Sequence, residues 1–379
     1  MSVRLAIAQA DLSTLNVSEF CRDHGISRDR FYAIRRRFDS EGEAGLEPRS
    51  RAPHQVASRT PAAVEDRVVW WRKKLVEDGN DAGPASIWDQ LCDEAGPGVV
   101  VPSEATIWRI LTRRGFIVPQ PSKAPPRVWR RFTAERANEC WQIDPTPWEL
   151  ADGTGVEIIN IIDDCTRVWP AALAVASATT AACLEAIARG AEQWGWPERF
   201  LADNARYFHG HPDHGGGLAA ALAPLGIDAR RSRPYHPQTC GKVERFHQTL
   251  KQWLEARDPA PDLETLQAQL NEFADHYNHY RRHRGIDRQI PAQLWTNTAK
   301  SGPTTYPINA PTRVLRTTVS ADGAVWAGPY RIAVGIRHHP ANAITIITGT
   351  AAHVFIGGRL IRKLTVDPDR QNYPQRART

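Results

Sequence analysis

Three acidic residues, Asp144, Asp203 and Glu244, stand where a purely structural role is hard to assign. Asp144 closes the apolar run Trp141-Gln142-Ile143 and is followed by Pro145, which cannot donate to a central ladder, so a strand is expected to stop at the acid. Asp203 follows a second short apolar run, Phe200-Leu201-Ala202. Glu244 falls in the first turn of a predicted helix that begins at Gly241. At about 100° per residue, Val243, Phe246, Leu250, Trp253 and Leu254 share one face of that helix, while Glu244, Gln248, Lys251 and Glu255 share another. The apolar stripe is core, and Glu244 points away from it. Strand ends and helix starts are where open α/β sheets build their sites.

Acids gathered at one place need a reason. Two carboxylates about 4 Å apart repel by roughly 4 kcal/mol at an effective dielectric near 20, so a cluster of three calls for cations. Hard oxygen donors select Mg²⁺ or Mn²⁺. Two such ions, about 3.5–4 Å apart, would activate a water or a 3′-hydroxyl and stabilise the leaving oxygen of a phosphodiester. Taken singly, each acid also has an ordinary reading, as a solvated helix residue or a strand-end cap.

The elements that must position these acids lie between residues 139 and 282. Strand-like runs occur at Trp141–Ile143, Val156–Ile162, Val168–Val175, Phe200–Ala202 and Ile227–Ala229, with helical patterns at Thr179–Trp194, Gly241–Leu254 and Leu263–Tyr280. Three strands in series, then alternating helix and strand, predict an α/β domain with a mixed sheet covered by helices.

Either side of this region the pattern changes. Ser18–Phe38 reads as two helices joined at Gly25, with Ser18 and Ser27 as N-caps: a helix-turn-helix pattern whose second helix offers Arg28, Arg30, Arg35 and Arg36 to a partner. A plain helical hairpin is the alternative. A second helical block runs from Pro61 to Phe116, with Ser103 as a cap. Arg109 to Arg131 holds seven basic residues and no acidic one, with four prolines, and reads as an extended linker suited either to a phosphate backbone or to a solvated tether. Residues 312–366 turn to short β-type segments, with Asp322-Gly323 and Gly357-Gly358 turns that suggest hairpins in a small barrel.

Composition narrows the function classes. Over the 379 residues the net charge is +6, divided as +4 for residues 1–131, −5 for 132–300 and +7 for 301–379. Basic ends suit phosphate backbones, and an acidic centre suits metal ions or simple solvation. The six cysteines form no C-x-x-C pair, which argues against a zinc module or a disulfide framework and for a reduced, intracellular setting. No signal peptide or membrane span is expected. His209, His211, Asp213 and His214 have a metal-like composition, but their glycine neighbours predict mobility rather than a fixed tetrahedral site.

The segments WQIDPT (141–146), LADNARYF (201–208) and RPYHPQTCGKVERFHQTLK (233–251) together resemble the catalytic core of bacterial insertion-sequence transposases with a retroviral-integrase-type fold. YNHYRRHRG at 277–285 is similar to the segment that follows in that family, with Tyr277, Asn278, Arg281 and His283 as structural or DNA-facing residues. GISRDRFYAIRRRF with GLEPRSRAPH (45–54) resembles the family's N-terminal DNA-binding region, and GGRLIRKL (357–364) the end of its C-terminal β-domain. In two places the chain departs from the pattern: Ala205 stands where a glycine is usual after Asp-Asn, and the 41-residue interval from Asp203 to Glu244 is long for the family, with HGHPDHGGG (209–217) as the surplus.

The resemblance implies a ribonuclease-H-like core at 136–300. Helix-turn-helix modules at 1–56 and 57–118 and a basic Pro-rich linker at 119–135 would precede it, with a small SH3-like barrel at 312–367 and a tail at 368–379 to follow. Asp144, Asp203 and Glu244 would be the catalytic triad, holding two Mg²⁺ or Mn²⁺ ions. DNA would be met by Arg28, Arg30, Arg35, Arg36, Arg49, Arg51, Arg109, Arg113, Arg114, Arg127, Arg130, Arg131, His236, Gln238, Lys242, Gln248 and Lys251. The implied partners are double-stranded DNA, as element ends and target, and further copies of the chain. A DNA-binding regulator with a relic core is the alternative, and a nuclease acting on RNA–DNA hybrids is a third reading.

Overall fold

The computed structural model describes residues 3–48, 60–96, 98–118, 133–202, 206–211, 215–231, 241–303 and 311–374. The chain divides into two units, Met1–Pro61 and Ala62–Thr379.

Among the described residues the first unit has the α-helices α1 (Val3–Gln9), α2 (Val17–Asp23) and α3 (Arg28–Glu41). Ser27 caps α3 as expected, accepting the amide of Arg30 at 3.2 Å. The cap of α2 is Asn16 rather than Ser18: its side chain accepts the amides of Ser18 and Glu19, so the helix begins a turn's fraction earlier. Gly25, at φ +61°, makes the left-handed turn between the two helices. Sequence periodicity overlooked α1, which is short and supplies Ile7 to a core with Cys21, Phe31 and Ile34.

The second unit opens with α4 (Ala62–Glu77), α5 (Pro84–Glu94) and α6 (Glu104–Arg113), packed around Val68, Leu75, Ile87, Leu91, Ile107, Ile110 and Leu111. Ser103 caps α6 through the Thr106 amide.

A five-stranded sheet follows, in the order β3-β2-β1-β4-β7: β1 (Cys140–Glu149), β2 (Gly155–Asp163) and β3 (Ala171–Val175) are antiparallel, and β4 (Arg199–Ala202) and β7 (Asp228–Arg231) run parallel to β1. Between β4 and β7 lie α8 (Arg206–His209), the two-residue strands β5 (Gly210–His211) and β6 (Gly215–Gly216), and α9 (Leu218–Leu222). The continuous apolar run of β2 is explained by burial on both sides. Ile159 and Ile161 join one core with α7 (Thr180–Trp194), and Ile158 and Ile162 join another with α10 (Gly241–Glu255) and α11 (Leu263–His279). Trp169, fully buried, sits among Phe246, Phe273 and Tyr277 in the second core.

The strand carrying Asp144 does not stop there. β1 stays paired with β2 through Pro145↔Ile159 and Pro147↔Glu157. Among the described residues its pairing with β4 covers Cys140–Gln142. Two prolines two residues apart omit donors on the same side of a strand, so the ladder with β2 on the other side is kept.

After α12 (Pro291–Asn297), the C-terminal strands β8 (Thr312–Thr318), β9 (Ala324–Ala327), β10 (Tyr330–Ala333), β11 (Asn342–Thr348), β12 (Ala351–Ile356), β13 (Arg359–Thr365) and β14 (Asn372–Tyr373) form two sheets, β13-β12-β11-β8 and β14-β10-β9. They do not close into the barrel expected from the sequence. One face of the larger sheet is already used: Val314, Ile346 and Phe355 join the core under α7, and Arg316 pairs with Glu185 and Glu192 of that helix. The hairpin turn at Gly357-Gly358 is as expected, with φ of +57° and +77°.

The basic segment after α11 holds α4–α6 to the core. Arg281 pairs with Asp81, Arg282 with Asp93 at 2.7 Å, and Arg288 with both Asp89 and Glu104 while its guanidinium lies 4.3 Å from the Trp88 ring centroid. Asp89 is only 10% exposed and its other cation, Arg282, stands off at 3.9 Å, so losing Arg288 leaves a nearly buried charge poorly paired. Arg288→Ala is expected to loosen this module by roughly 3 kcal/mol, the cost of breaking such a pair. Arg288→Lys should not restore it, because an ammonium cannot bridge two carboxylates and stack on an indole. Amide hydrogen exchange in α5 and α6 is the measurement; unchanged protection in Arg288→Ala would contradict the assignment.

Candidate active site

The pairing of β1 with β2 decides which way Asp144 faces. Gln142, Asp144 and Thr146 lie opposite Ile162, Asn160 and Ile158, and directly opposed residues share a face, so all three point toward α10 and α11. Asp144 keeps 29% of its side chain exposed. Asn160 beside it is fully buried and donates to the Ile158 carbonyl at 3.1 Å.

α10 packs against β1 and β2 through the apolar stripe read from the sequence, Val243, Phe246, Leu250, Trp253 and Leu254, all buried. Glu244 is exposed in its first turn, where the helix dipole favours a carboxylate. One turn further on, His247 turns toward the sheet: its Nδ1 lies 3.8 Å from the Asp144 carboxylate. Burial pushes the His247 imidazole down to about 4, with the Asp144 backbone acting weakly the other way, so the ring is neutral at pH 7 and does not compensate the adjacent acid.

Behind these residues lies a buried polar layer that sequence reading missed. Asp163 and Asp164, at the end of β2, are both fully buried. Asp163 accepts the Asn138 amide (2.8 Å) and both the amide and hydroxyl of Thr166 (2.7 Å each). Burial raises its carboxyl to about 6 despite those bonds. Asp164 accepts Gln142 Nε2 at 2.6 Å, Lys242 Nζ at 2.5 Å and the Ala134 amide at 2.7 Å. The signal was present: two acids directly after Ile-Ile-Asn-Ile-Ile can only be buried with partners.

The structure sorts the expected site residues. Asp144 and Glu244 are brought to the same side of the sheet, and β4 ends at Ala202, the residue before Asp203. Asp203 itself, with Arg49, Arg51, Arg127, Arg130, Arg131, His236 and Gln238, lies outside the described residues. Arg28, Arg30 and Arg36 are exposed on α3, and Arg109 on α6. Arg35 instead donates to the carbonyls of Ile7, Ala8 and Ala10. Arg113 and Arg114 reach back to Glu65 and Asp66. Lys242 is tied to Asp164, and burial lowers its ammonium below the usual range. Gln248 is exposed and Lys251 half-buried on α10. Asn278 is structural: it exchanges two hydrogen bonds with the Trp169 backbone, at 2.9 and 3.0 Å. Among the described residues, no three His, Cys, Asp or Glu side chains gather as a metal cluster, and no helix is long and apolar enough to cross a membrane.

Comparison with known families bears on this geometry. The Integrase core domain family matches residues 225–291, a span that includes Glu244, α10 and α11. The chain carries an integrase core. A Helix-turn-helix domain family matches residues 3–54 and a Homeodomain-like domain family residues 30–111, so DNA-binding modules precede the integrase core, the plan of an insertion-sequence-type transposase. The matched span takes in β7, α10 and α11, and the mixed sheet with helices on both faces resembles the ribonuclease-H-like fold of integrases. Among solved structures, the chain is similar to the simian T-cell lymphotropic virus intasome, in complex with PP2A regulatory subunit B56 gamma, at 19% identity, 76% of this chain, 96% of that chain and a TM-score of 0.38. It is also similar to the HTLV-2 integrase catalytic core domain in complex with magnesium, at 15% identity, 44% of this chain, 99% of that chain and a TM-score of 0.34.

The buried histidines give the integrase-type chain a pH signature. Burial is the main cause that holds His247 and His353 at about 4 and His283 at about 3, all below the ordinary 6.5. Below pH 6.5 the unfolded chain therefore binds protons that the folded chain refuses, and each histidine removes stability at about 1.4 kcal/mol per pH unit. Asp163 acts oppositely between its folded value of about 6 and its ordinary 3.8, offsetting one of the three. Urea unfolding should show stability falling from pH 7 to pH 5; a flat or rising profile would contradict the burial of these rings.

Proposed function

We propose that this chain is a DNA transposase that binds the ends of a mobile element, cleaves phosphodiester bonds there and joins the ends to target DNA, with Asp144, Asp203 and Glu244 as its catalytic acids. The observation that carries the reading is the seating of α10: its buried stripe and the His247–Asp144 approach set the first turn, with Glu244, beside the strand that holds Asp144. The parallel register of β4 supports the third acid, since Gln142↔Leu201 brings the end of β4 level with the approach to Asp144.

The donor set fits a hard divalent cation. Asp144 and Glu244 offer carboxylate oxygens that are at least partly solvent-accessible, hard donors of the kind that suit Mg²⁺ or Mn²⁺. Bound there as a pair, such ions would supply activation of the attacking oxygen and stabilisation of the leaving one. The chain's own part is to hold acids of like charge on rigid elements and to bring DNA to them. We assign end recognition to α3 and the α4–α6 module, with exposed Arg28, Arg30, Arg36 and Arg109 facing phosphates or bases. Joining two ends requires at least two copies of the chain on DNA.

In a cleavage and joining assay on labelled element ends with Mg²⁺ or Mn²⁺, Asp144→Asn, Asp203→Asn and Glu244→Gln should each lower the rate by ~100-fold or more, the scale of losing one preorganised electrostatic group. Affinity for the end should persist. Wild-type rates in any of the three would reject the triad, and an inactive wild type that still binds the ends would favour a regulator instead.

A further inference from the structure

Gln142 stands two residues before Asp144 on β1, and Lys242 stands two residues before Glu244 on α10. Both side chains end on one atom: Gln142 Nε2 and Lys242 Nζ lie 2.6 and 2.5 Å from the same carboxylate oxygen of Asp164. That carboxylate is completely buried, its other oxygen accepts the Ala134 amide at 2.7 Å, and Arg167 approaches the shared oxygen at 3.8 Å. Lys242 itself is only 18% exposed. We propose that Asp164 is a positioning residue, a buried clamp that fixes the start of α10 against β1 and so sets the spacing between Glu244 and Asp144.

The inference rests on the reading of Asp144 and Glu244 as catalytic acids, and it takes Lys242 out of the set of DNA-contacting cations. A helix start is its least constrained part, because its first amides lack intrahelical partners and its end frays. Here the apolar stripe begins at Val243 and holds α10 down along its length, but packing alone permits small rotation and sliding of the first turn. An ion pair that also carries a hydrogen bond from the neighbouring strand removes that freedom, since a buried carboxylate tolerates no lost partner. Asp164 is wholly buried, so it is closed off from DNA in solvent. Its effect reaches the reaction through residues two positions away on each element.

The test compares Lys242→Met, Lys242→Arg, Asp164→Asn and the Asp164→Asn/Lys242→Met double variant, in the full chain, with Asp144→Asn as a control. Three quantities are read: cleavage rate at saturating DNA, affinity for the DNA end, and amide exchange of residues 243–247 without DNA or metal. Lys242→Met should lower the rate by ~100-fold, the loss expected for displacing a reacting group by about 1 Å, with affinity unchanged. It should speed exchange in the first turn of α10 while β1 and β2 stay protected, and Lys242→Arg should recover most of both. The double variant should be no worse than Asp164→Asn alone; if Asp164→Asn does not fold, the two Lys242 variants decide. Weakened DNA affinity at an unchanged rate in Lys242→Met, or unchanged exchange, would overturn the proposal. Should Asp144→Asn keep its rate, the catalytic assignment falls by itself, and the exchange comparison still judges the clamp.

Discussion

Carboxylates of like charge repel, so a fold that gathers them must hold each one from behind. In this chain the holding is done by the packing of α10 on the sheet. The stripe Val243, Phe246, Leu250, Trp253 and Leu254 is buried against β1, β2 and α11, and the opposite face of the helix is left to solvent. Gln142, Asp144 and Thr146 share the sheet face that α10 covers, and Glu244 stands exposed in the first turn of that helix, so on the proposed assignment it is the acid offered to Asp144. The sheet, the two cores on its faces and the buried polar layer at Asp163 and Asp164 would all serve that arrangement.

The same physics accounts for how basic residues are used. Of the arginines and lysines that a charge count assigns to DNA, several are committed internally: Arg35 to the carbonyls ending α1, Arg281, Arg282 and Arg288 to the acids of the α4–α6 module, Arg316 to α7, and Lys242 to Asp164. Guanidinium groups suit this work because one side chain can satisfy two acceptors at once. A positive total therefore overstates the cations available for phosphates. Exposure on α3 and α6 is the better guide.

Much of this was legible in the sequence. α7, α10 and α11 were read nearly to their ends because each is long and carries an apolar stripe at helical spacing, and Ser27 and Ser103 declared their helices by capping. Three features were not. α1 has seven residues, too few to show periodicity. The continuation of β1 through Pro145 and Pro147 depends on a neighbour, since it is the ladder with β2 that carries the strand past both prolines. The C-terminal strands read as a barrel because local alternation cannot reveal that Val314, Ile346 and Phe355 are buried in one core with α7, far away in sequence. The proposed acids were singled out from position and family motif, whereas the contacts of Gln142, Asp164, Lys242 and His247 join distant segments and leave no local signal.

If Asp144 and Glu244 hold shared cations as proposed, crystals of the protein grown with Mn²⁺ will reveal them through anomalous scattering, which locates the metal without relying on activity. Manganese peaks are expected within carboxylate-bonding distance, about 2.0–2.2 Å, of oxygens from both Asp144 and Glu244. Well-ordered side chains at both positions with no peak between them, or manganese bound elsewhere in the chain, would contradict the proposal.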